Sequence, residues 1–391
     1  MKFKALVSFI VVFSLGLGML GCVGQAGPQG FSGVTCQNGI LYVGSMEGTV
    51  LAVNPTARSG ELAFPSSANG EWRCETITLP AAGASCGPSF QTAGIYGTPA
   101  VGEELLYIGT YGGDKGKIYA LVEATGADRW LYPRGAGFIG AIVGGIVVDD
   151  DTVYVSSSDG RVYALDMTYG DFKWKSEPLA DKLWTSPTIV GDSIYVSTYE
   201  GYLYALSAQD GSKLPCSFQA EAGLVSSPLV YKDTIFVGSF DRNLYAVKIG
   251  CDEPLWKFSA GNWFWATPLV NEDVVYAGCL DGKVYAINAE TGEQLWEFDA
   301  ESPVVCSPVL VGDLLVVAAE SGNVYVVNSK TGDGERIKNP EEDNKPSIDA
   351  PIRASFCAHE GMVYIRGQDN CLYAIDVNQK EIDWNFSLTM E

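Results

Sequence analysis

Thr267-Pro268-Leu269-Val270-Asn271-Glu272-Asp273-Val274-Val275-Tyr276-Ala277-Gly278-Cys279-Leu280-Asp281-Gly282-Lys283-Val284-Tyr285-Ala286-Ile287-Asn288-Ala289-Glu290-Thr291-Gly292-Glu293-Gln294-Leu295-Trp296 is the stretch that decides the fold. Its apolar residues recur with the period of a half-buried strand, and no helical period competes. Asp281-Gly282 is a hairpin signal, because glycine supplies the positive φ of a tight turn. Thr291-Gly292 marks a second turn, and Trp296, eleven residues after Tyr285, closes the unit. The same unit recurs along the chain. Its first strand is centred on Tyr42, Tyr107, Tyr154, Tyr195, Phe236, Tyr276, Val316 and Tyr364, at spacings of 65, 47, 41, 41, 40, 40 and 48. The Val-Tyr-Ala-Ile-Asn phrase returns around Tyr119, Tyr163, Tyr204, Tyr245, Tyr325 and Tyr373, with Val50-Leu51-Ala52-Val53-Asn54 as a degenerate first copy. Trp130, Trp174, Trp256 and Trp384 repeat the closing tryptophan; Pro215 and Arg336 stand at that count in two units, and Trp72 serves the first.

Four short β segments in each of eight units predict an all-β chain, an eight-bladed β-propeller of four-stranded antiparallel blades over residues 31–391. A four-stranded sheet has two faces to cover, and radial stacking covers both while leaving only short edges. The repeated tyrosines and tryptophans therefore belong to the packing between blades, large rings over small residues.

The phrase from Thr267 to Trp296 resembles the pyrroloquinoline-quinone-type propeller repeat, and the resemblance extends over about residues 31–388. It implies the propeller fold and admits several functions: quinoprotein alcohol and glucose dehydrogenases, BamB-type outer-membrane assembly lipoproteins, and extracellular sensor domains. The dehydrogenases of this type hold pyrroloquinoline quinone and calcium, with a general-base Asp and often a disulfide between adjacent cysteines. This sequence has no Cys-Cys pair and no Cys-x-x-Cys-His haem motif. Calcium needs several converging oxygen ligands, and only Glu301 and Asp349 stand near inner-strand starts. The expectation is a non-catalytic scaffold without cofactor or metal; the alternatives are a quinone- and calcium-dependent oxidoreductase and a ligand- or carbohydrate-binding sensor module.

The N-terminus reads as an export signal over residues 1–21. Lys2 and Lys4 precede an apolar run at residues 5–20, shorter than the roughly 20 residues a spanning helix needs. Met19-Leu20-Gly21-Cys22 resembles the lipobox of bacterial lipoproteins, which makes Cys22 the expected lipidation site, although leucine is usual where Met19 stands. Residues 22–30 are glycine-rich and poor in large apolar groups, a tether between lipid and globule. The resulting expectation is an exported monomer anchored to the membrane by its lipid. It would face the periplasm on an outer membrane, or stand on the outer face of the cytoplasmic membrane where the cell has no other.

Charge and chemistry narrow the partners. Of 391 residues, 25 are Lys or Arg and 47 are Asp or Glu, a net charge of −22. Phosphate backbones repel such a surface, so nucleic acid is excluded as a partner and other envelope or exported proteins are favoured. A single histidine, His359, excludes sites built from two imidazoles. At the position where each blade-to-blade linker nears one mouth of the central channel stand Phe31, Tyr96, Val143, Trp184, Val225, Trp265, Val305 and Arg353. Tyr96, Trp184, Trp263, Trp265 and Arg353 are the candidate binding residues, aromatic faces beside a cation that could grip an apolar peptide or a sugar. Phe264 adjoins them. The ten cysteines leave nine after Cys22. Cys74 with Cys86 in one inserted loop, and Cys216 with Cys251 near neighbouring outer strands, are candidate disulfides. Cys36, Cys279, Cys306 and Cys357 fall in or beside inner strands as expected buried thiols.

Overall fold

The computed structural model describes residues 32–58, 64–74, 78–80, 90–179, 181–250, 252–340, 342 and 344–388. The expected export signal, Cys22, the tether, Phe31, Cys86 and Cys251 lie outside these residues. Eight four-stranded antiparallel sheets follow one another, each made of four consecutive strands, and stand in a ring as propeller blades. Among the described residues no helix is long and apolar enough to cross a membrane.

Blade 6 shows why the repeat folds this way. Its strands are Leu269–Asn271, Val274–Gly278, Lys283–Asn288 and Gln294–Asp299, running from the channel outward. Successive side chains of a strand face opposite ways. Val275 and Ala277 therefore pack towards Phe236 and Ala246 of blade 5, while Tyr276 packs towards Leu315, Val317 and Tyr325 of blade 7. Each pair of neighbouring blades encloses one such apolar cluster, the last joining blade 8 to blade 1. The core is thus a ring of seams and not one central mass.

A turn glycine and the closing tryptophan of the preceding blade work as a pair across five of the seams. Trp256 of blade 5 donates its Nε1–H to Ala289 O of blade 6 at 3.0 Å, and its ring lies over Gly292. Gly292 has φ +74°, and a Cβ there would meet the Trp256 ring at 2.7 Å. The same arrangement joins Trp72 to Gly126, Trp130 to Gly170, Trp174 to Gly211 and Trp296 to Gly332. Turn conformation and neighbour packing therefore demand glycine together. Gly292→Ala is expected to cost about 1–3 kcal/mol from the left-handed backbone, with the tryptophan displaced as well. Urea unfolding followed by tryptophan emission would read both effects.

Blade 7 corrects one expectation. In blades 3, 5, 6 and 8 the outer strand carries a bulge that sets its tryptophan opposite an alanine, as Trp296 opposite Ala286. The outer strand of blade 7, Gly334–Arg336, pairs without a shift, so Glu335 faces Val326 and Arg336 faces Tyr325. Without the bulge's extra residue the pairing falls one position out of step, and Arg336 does not take the tryptophan's place.

The seam tyrosines fix the alkaline limit of the fold. Burial, with nearby cysteine and carboxylate groups, pushes the Tyr364 hydroxyl from 10 up to about 12. A raised folded-state pKa favours the protonated folded form. The stabilisation is therefore complete below pH 10 and is lost as the pH rises from 10 through about 12. Absorbance titration at tyrosinate wavelengths should show these rings ionising together with loss of near-ultraviolet circular dichroism.

Candidate functional site

One face of the propeller is built by a repeated backbone contact. Among the described residues, in seven blades the amide at the tip of the first hairpin donates to a carbonyl of the incoming linker. The bonds include Tyr111 to Gly94 O, Tyr199 to Lys182 O, Phe240 to Gly223 O, Leu280 to Trp263 O, Glu320 to Pro303 O and Gln368 to Pro351 O, at 2.7 to 3.3 Å. Two residues beyond those carbonyls stand the expected mouth positions, including Tyr96, Trp184, Trp265 and Arg353. Each mouth side chain thus sits beside a hairpin tip four residues after the strand aromatic. These tip residues were not singled out from the sequence. Counting four forward from each strand aromatic would have found them.

The two sets of residues interlock across blades 4 to 6. The Trp184 ring lies 5.0 Å from Tyr199, Tyr199 lies 5.6 Å from Phe240, and Phe240 lies 4.6 Å from Trp263 and 5.8 Å from Trp265. Trp184, Tyr199, Trp263 and Trp265 are 36%, 40%, 38% and 43% exposed, so these rings are not spent on the seams. Phe264, between the two tryptophans, is fully buried in the seam of blades 5 and 6. Strand-like alternation around that anchor holds Trp263 and Trp265 outward. Asn262 steadies the turn, accepting the Trp263 N–H at 2.9 Å and donating to Leu280 O at 3.3 Å. The outcome is a continuous aromatic ridge with Lys182 Nζ 5.5 Å from the Trp184 ring centre.

Tyr96 and Arg353 occupy the same repeat position in other blades. Tyr96 packs edge-on against Tyr111 at 4.6 Å, where burial first and Tyr111 second raise its hydroxyl pKa. Arg353 donates its Nε–H to Glu320 Oε1 at 2.7 Å, and its Nη2 meets the same oxygen. Its charge is already matched by Glu320, so the cation at the ridge is Lys182 and not Arg353.

The remaining chemistry lies elsewhere. Among the described residues no group of three or more His, Cys, Asp or Glu converges to hold a metal. Glu301 and Asp349 are both exposed and lie outside the strands. A hollow of about 660 Å³ is lined by Arg129, Arg134 and Tyr169 and by none of the ridge residues. Burial pushes the Cys279 thiol up to about 12, and Cys306 rises for the same cause. Of the candidate disulfides, Cys74 ends the outer strand Trp72–Cys74, and Cys216 falls within Lys213–Gln219; their expected partners Cys86 and Cys251 lie outside the described residues.

Ring and repeat define a propeller of pyrroloquinoline-quinone-like repeats. The family described as outer membrane protein assembly factor BamB matches residues 71–247 and 217–389, and the chain belongs to that family. No curated protein sequence matches it. Among solved structures, BamB from Moraxella catarrhalis is similar at 18% identity and a TM-score of 0.63, covering 92% of this chain and 95% of that one. The computationally designed Ika8 protein is similar at 13% identity and a TM-score of 0.67, covering 88% of this chain and 96% of that one. At these identities the likeness concerns the fold.

Proposed function

We propose that this protein is a non-catalytic scaffold of the cell envelope, held to a membrane through lipid on Cys22, that binds exported proteins on the Trp184 to Trp265 ridge. The ridge is the observation that carries the reading: solvent-facing aromatic rings on rigid supports are the usual centres of protein recognition. Its neighbouring rings are inclined by 46° to 81°. Inclined rings leave clefts that fit branched or aromatic side chains of an extended peptide, whereas a sugar needs a flat platform with polar groups around it. The net charge of −22 favours a partner with basic residues beside its apolar ones.

The test is photo-crosslinking from Tyr199 in the intact envelope. An exported protein recovered in the adduct supports the scaffold; glycan alone supports the sensor alternative. Titration with quinone and calcium should give no stoichiometric absorbance change, and dye-linked alcohol oxidation would overturn the non-catalytic reading. Labelled lipid should be incorporated by the wild type and lost in Cys22→Ala.

A further inference from the structure

Among the described residues every blade consists of four consecutive strands, and none is completed by a strand from the other end of the chain. Many closed rings have such a shared blade; here the first and last blades must hold each other by side-to-side contact. Among the described residues the seam uses the Val34 N–H on Ser355 O at 3.0 Å and the buried Arg366 Nη1 on Gly44 O at 2.5 Å. Leu41, Val43, Tyr364 and Leu372 fill it with apolar surface.

Two cysteines face each other across this seam. Thr35, in the inner strand Val34–Gln37 of blade 1, donates its hydroxyl forward to Pro99 O of blade 2 at 2.5 Å. Side chains alternate along a strand, so Cys36 faces backward, to blade 8. In blade 8, Cys357 stands opposite Tyr364 as Thr35 stands opposite Tyr42. It therefore faces forward, to blade 1. Both side chains pack against the same apolar cluster, close enough that each perturbs the other's thiol.

We propose that Cys36 and Cys357 form a disulfide that closes the propeller ring between its first and last blades. The oxidant is a small-molecule or protein disulfide, the kind of donor an exported chain meets. The Cys36 thiolate attacks one donor sulfur and releases the first donor thiol. Cys357, losing its proton, then attacks the Cys36 sulfur of the mixed disulfide and releases the second. One S–S bond forms and one breaks, and the two electrons and two protons leave with the donor. The neighbouring Cys357 thiol lowers the Cys36 pKa against the opposing effect of burial, while Cys36 and burial together raise that of Cys357. Cys36 is accordingly the attacking partner. Sequence proximity could not suggest this pair, since its members lie near opposite ends of the propeller.

Peptide mapping of the full chain tests the link directly. After treatment with oxidised glutathione, a non-reducing digest should contain one peptide joining residues 36 and 357 that separates on reduction. The melting temperature should rise by about 5 °C on oxidation, because the cross-link spans nearly the whole domain. That increment should vanish in Cys36→Ser and in Cys357→Ala. Quantitative alkylation of both residues when the oxidised wild type is unfolded in denaturant would overturn the proposal, and that measurement needs no variant to fold.

Discussion

Phe264→Ala is expected to lower folding stability by about 3–5 kcal/mol, the range for deleting a buried phenylalanine ring. Phe264 is fully buried although it lies in a linker between strands. Its ring stands 6.3 Å from Phe258 and 6.1 Å from Tyr285, within a cluster that includes Ala277 and Cys279. Tyr285 and Ala277 belong to strands paired on both sides, so they cannot move inward to fill the void, and the loss should fall in the upper half of the range. Gly238 adds to this. A Cβ at Gly238 would meet Phe264 O at 2.3 Å, so the linker backbone is pressed against blade 5. Removing the ring should release that linker and with it Trp263 and Trp265. The expected result is a lower urea midpoint accompanied by weaker binding at the ridge. Phe264→Leu keeps most of the volume and should lose less than half as much. Equal loss from both variants would show that the ring does not anchor the linker.

The repeat made the fold legible because it states the same constraint eight times. Tyr276, Ala286 and Trp296 each have counterparts in other blades, and a period near 40 residues with turn glycines admits few architectures. The site was legible only in part. Trp184, Trp263 and Trp265 could be placed at one mouth by counting, but Tyr199 and Phe240, which join them, sit at a hairpin tip where the repeat tolerates Ser158, Leu280, Glu320 and Gln368. Variable positions carry no periodic signal, yet surface function resides there. Arg353, expected as a cation beside aromatic faces, is paired with Glu320, which reaches it from the neighbouring blade. The Arg336 count failed for a local reason, a bulge present in blade 6 and missing in blade 7. Cys36 and Cys357 became neighbours only through closure of the ring, an outcome that no single repeat encodes.

Trp184→Ala combined with Trp265→Ala should weaken binding of the exported partner by about 700-fold, if each ring contributes the 2 kcal/mol typical of an interface hot spot. The rings are 36% and 43% exposed, so their removal leaves the seams intact and the melting temperature should change by about 1 °C at most. This separates recognition from folding, which Phe264→Ala cannot do. Lys182→Ala removes the cation beside Trp184 and should cost about 0.5–1 kcal/mol, several-fold in affinity. Arg353→Ala serves as the contrast: its charge is held by Glu320, and it lies away from the ridge in blade 8, so partner affinity should be unchanged. Affinity can be read by biolayer interferometry with the crosslinked protein at two salt concentrations. A basic partner steered by a body of charge −22 should bind more slowly at high salt, while the dissociation rate, set by the aromatic contacts, stays nearly constant. A double variant that binds like the wild type would remove the ridge from the interface and leave the scaffold's docking face on the outer rim, where Tyr169 and Phe172 are also exposed.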